Sequence, residues 1–382
     1  MNAEHPHLPG QSPFIPERNT DRASSADGPA LTVVFVNSTH KWGGVKTWCL
    51  DIGDAMRGMG HRVWIVGRAG AFLDKAASRG LATLPVHFGP DFNPFAILKF
   101  LAFFLRVRPD FVVVNVSKDV RTAGTAARML GIPLIHRIGA PKDMNDGWKT
   151  RLTQRLLGMR LLACSKFVRN RMRKRIPVLA RADFAAIHPG VRIPEGPTPP
   201  SRSPRVILAS SQLNPDKGHG ELLDALARLR DAGRDFRCII LGTGSAEAAL
   251  KEQCSRLGLD GRVDWRGFVT DVPRHLHEAD VFVLPTFCEP LGIALEEAMA
   301  GGLVPIARHA GGVPEIWPPE LGMLCFPREM GVNGLVAALE QTLTVDDEQL
   351  AAWKNVAKEH ARRTFDVDGQ CRKVLAWMRQ EA

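Results

Sequence analysis

The sequence lacks the features that mark a secreted or membrane-spanning protein. Its seven cysteines are scattered over 382 residues, with no C-x-x-C motif and no zinc-ligand spacing. An odd, dispersed set of cysteines in a long chain indicates reduced thiols and a cytoplasmic location. The most apolar run, Phe95 to Leu105, is interrupted by Lys99 and is too short to cross a bilayer. Residues 1–29 are polar and proline-rich, which predicts a disordered tail rather than a signal peptide.

Acidic residues are absent from one long stretch. Residues 147–182 contain eleven Lys or Arg and no Asp or Glu, which matches the whole excess behind the net charge of +10. Such a block favours an anionic partner such as a phospholipid surface, a phosphorylated lipid or nucleic acid, although a solvated helix face has the same composition. No recognised nucleic-acid-binding module accompanies the block. We therefore predict contact with an anionic membrane surface and no nucleic acid.

Strand and helix patterns alternate along the chain. Continuous β-branched runs such as LTVVFVN at 31–37 predict strands buried on both faces, as in parallel sheets covered by helices. The proline-rich segment 192–204 interrupts the alternation and predicts an interdomain linker. A ligand would bind in the cleft between the two domains. We expect five parts: a disordered tail (1–29), an N-terminal Rossmann-like domain (30–191), the linker (192–204), a C-terminal Rossmann-like domain (205–364), and a last helix within 365–382 that packs on either domain.

The stretch E-P-L-G-I-A-L-E-E-A-M-A at 289–300 carries the most information. It follows a predicted strand and predicts a helix that begins at Gly292. Unpaired N–H groups at a helix N-terminus bind phosphate, whereas Glu289 and Glu297 on either side of it suit hydroxyl groups. Hydroxyls, phosphate and hydroxyls in a row describe a nucleotide-sugar; alternatively, the acids are a surface loop residue and a partner of the helix dipole. Glu296 lies about 100° around the helix from Glu297 and is expected to face solvent.

Together with G-G-V-P-E-I at 311–316, this stretch resembles the signature of glycosyltransferase family 4, the retaining group 1 transferases of GT-B fold. The resemblance covers most of the chain from about residue 31. It implies an α/β protein of GT-B fold, with two Rossmann-like domains whose parallel sheets face an interdomain cleft. Further matching segments occur in order: H-K-W-G-G-V-K-T-W near Gly43 and Gly44, G-H-R-V at 60–63, N-P-D-K-G-H at 214–219, L-G-T-G-S at 241–245 and R-G-F-V-T-D-V-P at 266–273.

The resemblance also implies roles for individual residues. Glu289 would hold hydroxyls of the donor sugar and Glu297 those of the ribose, while backbone N–H groups of Gly292 and Ile293 would bind the diphosphate. Lys217 matches the family lysine that neutralises the leaving diphosphate, so Lys217 and Glu289 are the implied catalytic residues. The nucleobase would meet the loop Gly267–Val269. The full implied set is Gln212, Lys217, Gly267, Phe268, Val269, Glu289, Gly292, Ile293 and Glu297 on the donor side, with Gly43, Gly44 and His136 on the acceptor side.

The sequence departs from the family pattern at three places. Gln212 stands where the family commonly has an arginine, so stabilisation of the leaving group would depend more on Lys217 and the helix terminus. Gly139 stands where many members have an acceptor-side histidine. His136 lies nearby and could substitute, although a core histidine is the other interpretation. The asparagine that usually precedes the glycine at Gly190 is also missing.

These observations predict a cytoplasmic glycosyltransferase, peripheral on the inner face of the cell membrane. It would transfer a hexosyl or related group with retention from a nucleotide-sugar to an envelope glycan or lipid-linked acceptor, in lipopolysaccharide or exopolysaccharide biosynthesis. GT-B enzymes generally need no divalent metal, so we expect no metal and no cofactor; the D-x-D at 366–368 would cap the last helix. Two alternatives remain open: a nucleotide-sugar 2-epimerase, and a catalytically inactive sugar-nucleotide-binding scaffold, which Gln212 keeps under consideration.

Overall fold

The computed structural model describes residues 24–25, 28–40, 42–269 and 271–380. Most of the predicted disordered tail, residues 1–23 and 26–27, lies outside the described residues. Within the tail, Ser24–Ser25 pairs with Gly28–Pro29 as a short antiparallel ribbon. In the described parts of the chain, every helix is too short or too polar to cross a bilayer.

The N-terminal domain is built on a seven-stranded parallel sheet in the order β3-β2-β1-β4-β5-β6-β7. Val33 to Val36 are fully buried, as the continuous β-branched run predicts for a strand covered on both faces. The strands are β1 (Thr32–Asn37), β2 (Arg62–Gly67), β3 (Ala82–Pro85), β4 (Phe111–Val114), β5 (Leu134–Ile138), β6 (Arg160–Ala163) and β7 (Phe184–Ala186).

Seven helices belong to the described part of this domain: α1 (Gly44–Gly58), α2 (Ala71–Ser78), α3 (Pro94–Val107), α4 (Ser117–Asp119), α5 (Thr125–Met129), α6 (Trp148–Leu157) and α7 (Lys166–Arg175). A π-helical turn, Val120–Gly124, joins α4 to α5. Helices α1 and α2 pack on one face of the sheet, and α3, α5 and α7 contribute to the core on the other face. The sheet is therefore wound on both sides, as parallel strands with crossover helices require.

The C-terminal domain has a six-stranded parallel sheet in the order β10-β9-β8-β11-β12-β13. Its strands are β8 (Arg205–Ser210), β9 (Phe236–Leu241), β10 (Val263–Gly267), β11 (Val281–Leu284), β12 (Val304–Arg308) and β13 (Cys325–Phe326). The helices that follow α7 along the chain are α8 (His219–Asp231), α9 (Glu247–Arg256), α10 (Val272–Leu276), α11 (Ile293–Ala300), α12 (Gly331–Thr344), α13 (Asp347–Phe365) and α14 (Val367–Arg379).

The chain passes between the two domains twice. The first passage, residues 192–204, forms neither helix nor strand and is held by Lys354, whose Nζ lies 2.7 Å from Asp280 and donates to Pro199 O. The second passage is the junction of α13 and α14. There Val191 N donates to Phe365 O at 2.9 Å, and Val367 N donates to Val191 O at 3.0 Å.

The last helix, α14, ends the chain against the N-terminal domain. It begins at Val367 and packs on α1, burying Val374 and Leu375 in the core that α1 and α2 share. Asp366 is its N-cap and accepts a hydrogen bond from Gly369 N at 3.0 Å, which confirms that the D-x-D segment caps this helix.

The α/β class, the two parallel sheets and most of the predicted strands are confirmed. For example, the run at 31–37 that predicts a buried strand forms β1, Thr32–Asn37. Three strands were not anticipated from the sequence: β3, β7 and β13, which have four, three and two residues. β7 and β13 are too brief to show a periodic pattern, and β3, with the sequence A-T-L-P, lacks the continuous apolar run of a strand buried on both faces.

Candidate active site

The turn between β11 and α11 lies at the point where the strand order of the C-terminal sheet reverses. Ligands of open parallel sheets bind at such switch points, beyond the carboxyl ends of the strands. Gly292 has φ +110° and ψ 53°, a left-handed conformation that favours glycine, and it is the N-cap of α11. No side chain caps this end, so the first N–H groups of α11 are open to a phosphate group. The prediction of a helix that begins at Gly292 is confirmed.

Close backbone contacts hold this turn in place. Gly312 N donates to Glu289 O at 2.9 Å. A Cβ atom on Gly311 would lie 1.9 Å from Glu289 O, and one on Gly312 would lie 2.3 Å from Pro290 O. The G-G pair of the G-G-V-P-E segment is therefore required because the two loops touch through their backbones.

Lys217 and Glu289 form an ion pair across two loops. Lys217 Nζ lies 2.8 Å from Glu289 Oε2, and the two side chains are only 19% and 17% exposed. Lys217 ends a 3-10 turn, and the next residue, Gly218, has φ +74°. A Cβ atom on Gly218 would lie only 2.2 Å from Pro285 O, so a larger residue does not fit there. Phe287 N and the Thr286 hydroxyl both donate to Asp216 O, which fixes the lysine loop onto the loop that leads to Glu289.

Glu297 lies further along α11 and faces the N-terminal domain. Burial raises the pKa of its carboxyl group to about 7, with a smaller contribution from Asp51 of α1. Five residues of helix separate Glu297 from Gly292, a rise of roughly 7–8 Å. This spacing places Glu297 and the Lys217–Glu289 pair on different sides of the helix N-terminus.

Glu296 was expected to face solvent, and this prediction is wrong. Its side chain is fully buried, and neither carboxylate oxygen has a hydrogen-bond partner among the described residues. Burial, and to a smaller extent Glu297, raises the pKa of Glu296 well above its usual value. Helix periodicity predicts the angle between the side chains of Glu296 and Glu297. It does not predict that the N-terminal domain covers the side of α11 on which Glu296 lies.

The N-terminal domain closes over the α11 turn. We call Gly43 and Gly44, at the start of α1, the glycine loop. A Cβ atom on Gly44 would lie 3.1 Å from Ile293 Cδ1, so this loop touches the first residue of α11. Gly43 is the N-cap of α1. Ser165, the N-cap of α7, donates its hydroxyl hydrogen to Pro290 O at 2.6 Å. The predicted donor turn and the glycine loop thus meet between the two domains.

Glu315 forms a second bridge between the domains. It belongs to the G-G-V-P-E segment of the C-terminal domain, and its carboxylate accepts hydrogen bonds from Lys166 N at 2.8 Å and Phe167 N at 2.6 Å. These are the first N–H groups of α7 in the N-terminal domain, where a carboxylate is favoured by the helix dipole. His188 Nε2 lies 3.5 Å from the same carboxylate.

The remaining donor-side residues lie on loops at the same edge of the C-terminal sheet. Gln212 follows β8, is exposed, and accepts a hydrogen bond from Asn214 Nδ2 at 3.1 Å. The loop after β10 contains Gly267 with φ +65°, Phe268, which is 67% exposed, and Val269, which packs against the core. Gly242 N donates to Gly267 O at 2.7 Å, which joins this loop to the end of β9.

On the acceptor side, His136 does not lie at the cleft surface. It is 2% exposed, and neither ring nitrogen has a hydrogen-bond partner among the described residues. Burial lowers the pKa of the ring to about 4, so the imidazole is neutral. It points from β5 to the side away from α1, where Leu134 and Ile138 are core residues. This placement favours the interpretation of His136 as a core residue over contact with an acceptor.

Sequence reasoning missed three residues at this site. Ser165 and Glu315 were not singled out, although Glu315 belongs to a segment that carried the resemblance and Ser165 directly follows a predicted strand. Arg137, beside His136, is 2% exposed and stacks on Trp48 with 4.4 Å between the guanidinium and the ring centre. A charged residue within a predicted buried strand is unusual, and this feature of the sequence could have identified Arg137.

Two surface hollows of about 210 and 300 Å³ lie along α13 and contain none of the predicted site residues. We assign neither of them to the site, because the chemically informative groups converge instead at the α11 turn.

The protein has two domains, each built on a parallel sheet covered by helices, and the uncapped N-terminus of α11 lies between them. This arrangement is that of the GT-B class of glycosyltransferases. Residues 197–360 match the family described as "Glycosyl transferases group 1", and residues 42–193 match "Glycosyltransferase Family 4". The chain belongs to this glycosyltransferase family, and the two matched regions cover most of its length.

Known proteins with similar sequences have related names. The chain is 27% identical to the glycogen synthase of Mycobacterium tuberculosis over 281 residues, which cover 69% of this chain and 66% of that protein. It is 35% identical over 121 residues to the amylovoran biosynthesis glycosyltransferase AmsK of Erwinia amylovora, covering 30% of each chain. In both comparisons, the chain spans less than two thirds of the relative's length.

Among solved structures, the Anabaena protein HepE in complex with UDP and glucose has a similar fold. Its TM-score is 0.74 at 21% sequence identity, and the alignment covers 92% of this chain and 100% of that chain. At this level of identity, the likeness supports the GT-B fold.

Proposed function

We propose that this chain is a retaining glycosyltransferase that moves a sugar from a nucleotide-sugar donor to an envelope glycan or glycolipid. One juxtaposition carries the proposal: the uncapped N-terminus of α11 lies between the Lys217–Glu289 pair and Glu297, under the glycine loop of the other domain. The diphosphate would accept hydrogen bonds from the N–H groups of α11. Glu289 would bind hydroxyls of the sugar, and Glu297 would bind the ribose. The nucleobase would lie against the loop Gly267–Val269.

The proposed chemistry requires little from the protein besides positioning and charge. The bond between the anomeric carbon and the donor phosphate oxygen breaks, and the acceptor oxygen forms its bond on the same face of the sugar. The departing phosphate oxygen takes the acceptor's proton. Lys217 would exchange its contact with Glu289 for the diphosphate and neutralise the charge that develops there. No metal and no other cofactor is part of this proposal.

The surface of the N-terminal domain supports an acceptor that is bound to an anionic membrane. Helices α3, α5 and α6 contain no Asp or Glu; α3 packs on α5, and Arg128 Nε of α5 donates to Leu156 O of α6. We call their outward side the acid-free face. Eight of the thirteen large exposed hydrophobic side chains in the described residues lie on it or just before it: Phe92, Phe95, Leu98, Leu105, Met129, Trp148, Leu152 and Leu156.

Exposed cations alternate with these apolar side chains: Lys99, Arg106, Arg128, Lys149, Arg151 and Arg155. A surface that combines Trp and Leu with Lys and Arg suits the interface of an anionic bilayer. The predicted patch at 147–182 needs revision in two respects. Arg160 is buried, paired with Asp183 at 2.6 Å, and contributes no surface charge. Arg151 is exposed but is paired with Asp146 at 2.8 Å. The proposed membrane contact thus combines α6 with α3 and α5.

A panel of nucleotide-sugars, starting with UDP-glucose, tests the proposed activity. A transferase without acceptor should slowly hydrolyse its donor to free nucleoside diphosphate. Conversion of the donor sugar without release of nucleoside diphosphate would instead identify an epimerase. Binding without either reaction would identify an inactive scaffold, and absence of binding across the panel would reject the proposal.

A further inference from the structure

Arg137 is a buried cation that forms no ion pair with any of the described residues. It lies in β5 with its side chain toward α1, is 2% exposed, and stacks on Trp48. Its Nη1 atom is fully buried without a hydrogen-bond partner among the described residues. Burial lowers the pKa of the guanidinium group, yet arginine remains protonated at neutral pH. A buried charge without a partner is strongly unfavourable unless a ligand supplies one.

Acidic side chains near Arg137 do not fill this role. Asp143 Oδ2 already accepts hydrogen bonds from Gly139 N at 3.0 Å and Ala140 N at 2.7 Å. Glu296 approaches from the other domain, and both Glu296 and Arg137 affect the pKa of Cys164. However, burial raises the pKa of Glu296 well above its usual value, which favours the neutral form of this carboxyl. Asp143 favours the charged guanidinium electrostatically, but Nη1 of Arg137 is still left without a hydrogen-bond acceptor among the described residues.

The position of the guanidinium group relates it to the reaction site. A Cβ atom on Gly139 would lie 3.4 Å from Arg137 Nη1 and 3.2 Å from Val45 Cγ2. Gly139 is the position where many members of the family that this sequence resembles have an acceptor-side histidine. Val45 follows Gly44, which touches Ile293 at the start of α11. A short series of contacts thus leads from Arg137 to the helix terminus that is proposed to bind the diphosphate.

We propose that Arg137 binds a phosphate oxygen of a substrate and supplies, from the N-terminal domain, the second cation that Gln212 does not supply. The inference rests on the proposed function. The phosphate belongs either to the donor diphosphate or to a phosphorylated acceptor, and both present the same oxygens to a guanidinium group. Because Val45 and Gly139 cover the side chain, binding requires the glycine loop to move and the contact between Gly44 and Ile293 to open.

The test compares wild type with Arg137→Met, which keeps an apolar stem over Trp48 and removes the charge. Titration calorimetry measures binding of inorganic pyrophosphate and of UDP to the free protein, and of inorganic phosphate to the UDP-saturated protein. Loss of one hydrogen bond to a charged group predicts a roughly 10- to 100-fold weaker affinity for the probe that Arg137 binds. Arg181→Met removes an exposed arginine of the same domain and should leave all three affinities unchanged.

The pattern of loss identifies the source of the phosphate. Weaker pyrophosphate and UDP binding assigns Arg137 to the donor, whereas loss of only the inorganic phosphate assigns it to the acceptor. Unchanged affinities in a folded Arg137→Met protein would overturn the inference while leaving the proposed function intact. Failure of wild type to bind any probe would count against the proposed function and this inference together.

A structural role for Arg137 makes a different prediction. If Arg137 serves only as a counter-ion of Glu296, the double variant Arg137→Met/Glu296→Leu should recover both thermal stability and phosphate binding. That recovery would also overturn the inference. If Arg137→Met does not fold, Arg137→Lys keeps the charge but loses the planar pair of donors, and it should still weaken binding of the relevant probe.

Discussion

At the scale of single residues, the candidate site contains one ion pair and two carboxyl groups that lie out of full contact with solvent. Lys217 is bound to Glu289, Glu297 is half-buried near Asp51, and Glu296 has no hydrogen-bond partner among the described residues. Such arrangements are costly to maintain in a folded protein, and they concentrate at sites where a ligand provides the missing interactions. Each of these groups therefore has a separate measurable consequence.

Removal of the Lys217 ammonium should affect turnover strongly. We expect Lys217→Ala to lower kcat by roughly 10²–10³, the usual effect of losing one preorganised donor to a developing charge. Steady-state kinetics with the donor found in the panel measures this change. Lys251→Ala, which removes an exposed lysine paired with Glu247, should retain wild-type turnover. Wild-type turnover in Lys217→Ala would reject the assigned role.

Glu289 should discriminate between the sugar and the nucleotide. We expect Glu289→Ala to reduce sugar transfer more than nucleotide binding, because the carboxylate is proposed to contact only the sugar. Calorimetry with free nucleoside diphosphate, compared with transfer rates, separates the two effects. Equal losses in both measurements would show that Glu289 acts mainly by holding Lys217.

Glu297 should make donor binding dependent on pH near neutrality. Because its pKa is raised to about 7, the carboxylate that accepts ribose hydroxyls forms as the pH rises through that value. We expect UDP affinity of the wild type to increase between about pH 6 and pH 8. Glu297→Gln should bind UDP more weakly and lose this dependence. A pH profile that stays the same in Glu297→Gln would assign the titration to another group.

The buried carboxyl group of Glu296 should lower the free energy of unfolding at higher pH. Its folded-state pKa lies well above the usual value for a glutamate, so the native protein holds a proton that the unfolded chain releases as the pH rises above that usual value. Stability contributed by the neutral form is therefore lost with rising pH. We expect Glu296→Leu to raise the free energy of unfolding by about 1–3 kcal/mol at pH 8 and by less at pH 5, measured by urea denaturation. A gain that is equal at both pH values would contradict this explanation.

At the scale of elements, the helix termini organise the site. The N-terminus of α11 is uncapped and faces the cleft, whereas the N-terminus of α7 is capped by Ser165 of its own domain and by Glu315 of the other. Two helix termini with the same intrinsic preference for anions thus have different roles. One is kept open for a ligand, and the other holds the two domains together.

The Glu315 contact should limit separation of the domains. We expect Glu315→Gln to weaken two charge-assisted hydrogen bonds and to increase the radius of gyration of the free protein in small-angle scattering. Glu329→Gln, an exposed change in the same domain, is the matched control and should scatter like wild type. If both variants scatter alike, the contact does not determine domain closure.

The elements were largely predictable because they depend on local patterns. The long β-branched run at 31–37 predicted β1, and the E-P-L-G segment predicted the start of α11 at Gly292. What the sequence could not reveal depends on the other domain. The burial of Glu296, the capping of α7 by Glu315 and the partnerless position of Arg137 all arise where residues distant in sequence come together.

At the scale of the whole molecule, charge and apolar surface are distributed unevenly between the domains. The acid-free face concentrates exposed hydrophobic and basic side chains on the N-terminal domain, while Met323 and Met330 are exposed hydrophobic residues of the C-terminal domain. We propose that this asymmetry orients the protein, with the N-terminal domain against a membrane and the C-terminal domain facing the solution that contains the donor.

Binding to vesicles tests this orientation. We expect wild type to co-sediment with phosphatidylcholine vesicles that contain phosphatidylglycerol, and to be released as salt is increased. Trp148→Ser/Leu152→Ser/Leu156→Ser should weaken binding roughly tenfold or more, because each large apolar side chain contributes up to ~1.5–3 kcal/mol when buried. Met323→Ser/Met330→Ser is the matched control. Equal binding by both variants, or binding that ignores salt, would contradict the proposed surface.

The two strands of polypeptide that pass between the domains are hydrogen-bonded to each other through Val191, Phe365 and Val367. Both connections between the domains meet at these hydrogen bonds, so they act as a single short hinge. Sliding of one domain past the other would break the bonds. We therefore expect relative motion of the domains to be a rocking about that point. Such a pivot would return Gly44 to the start of α11 in one register after each opening.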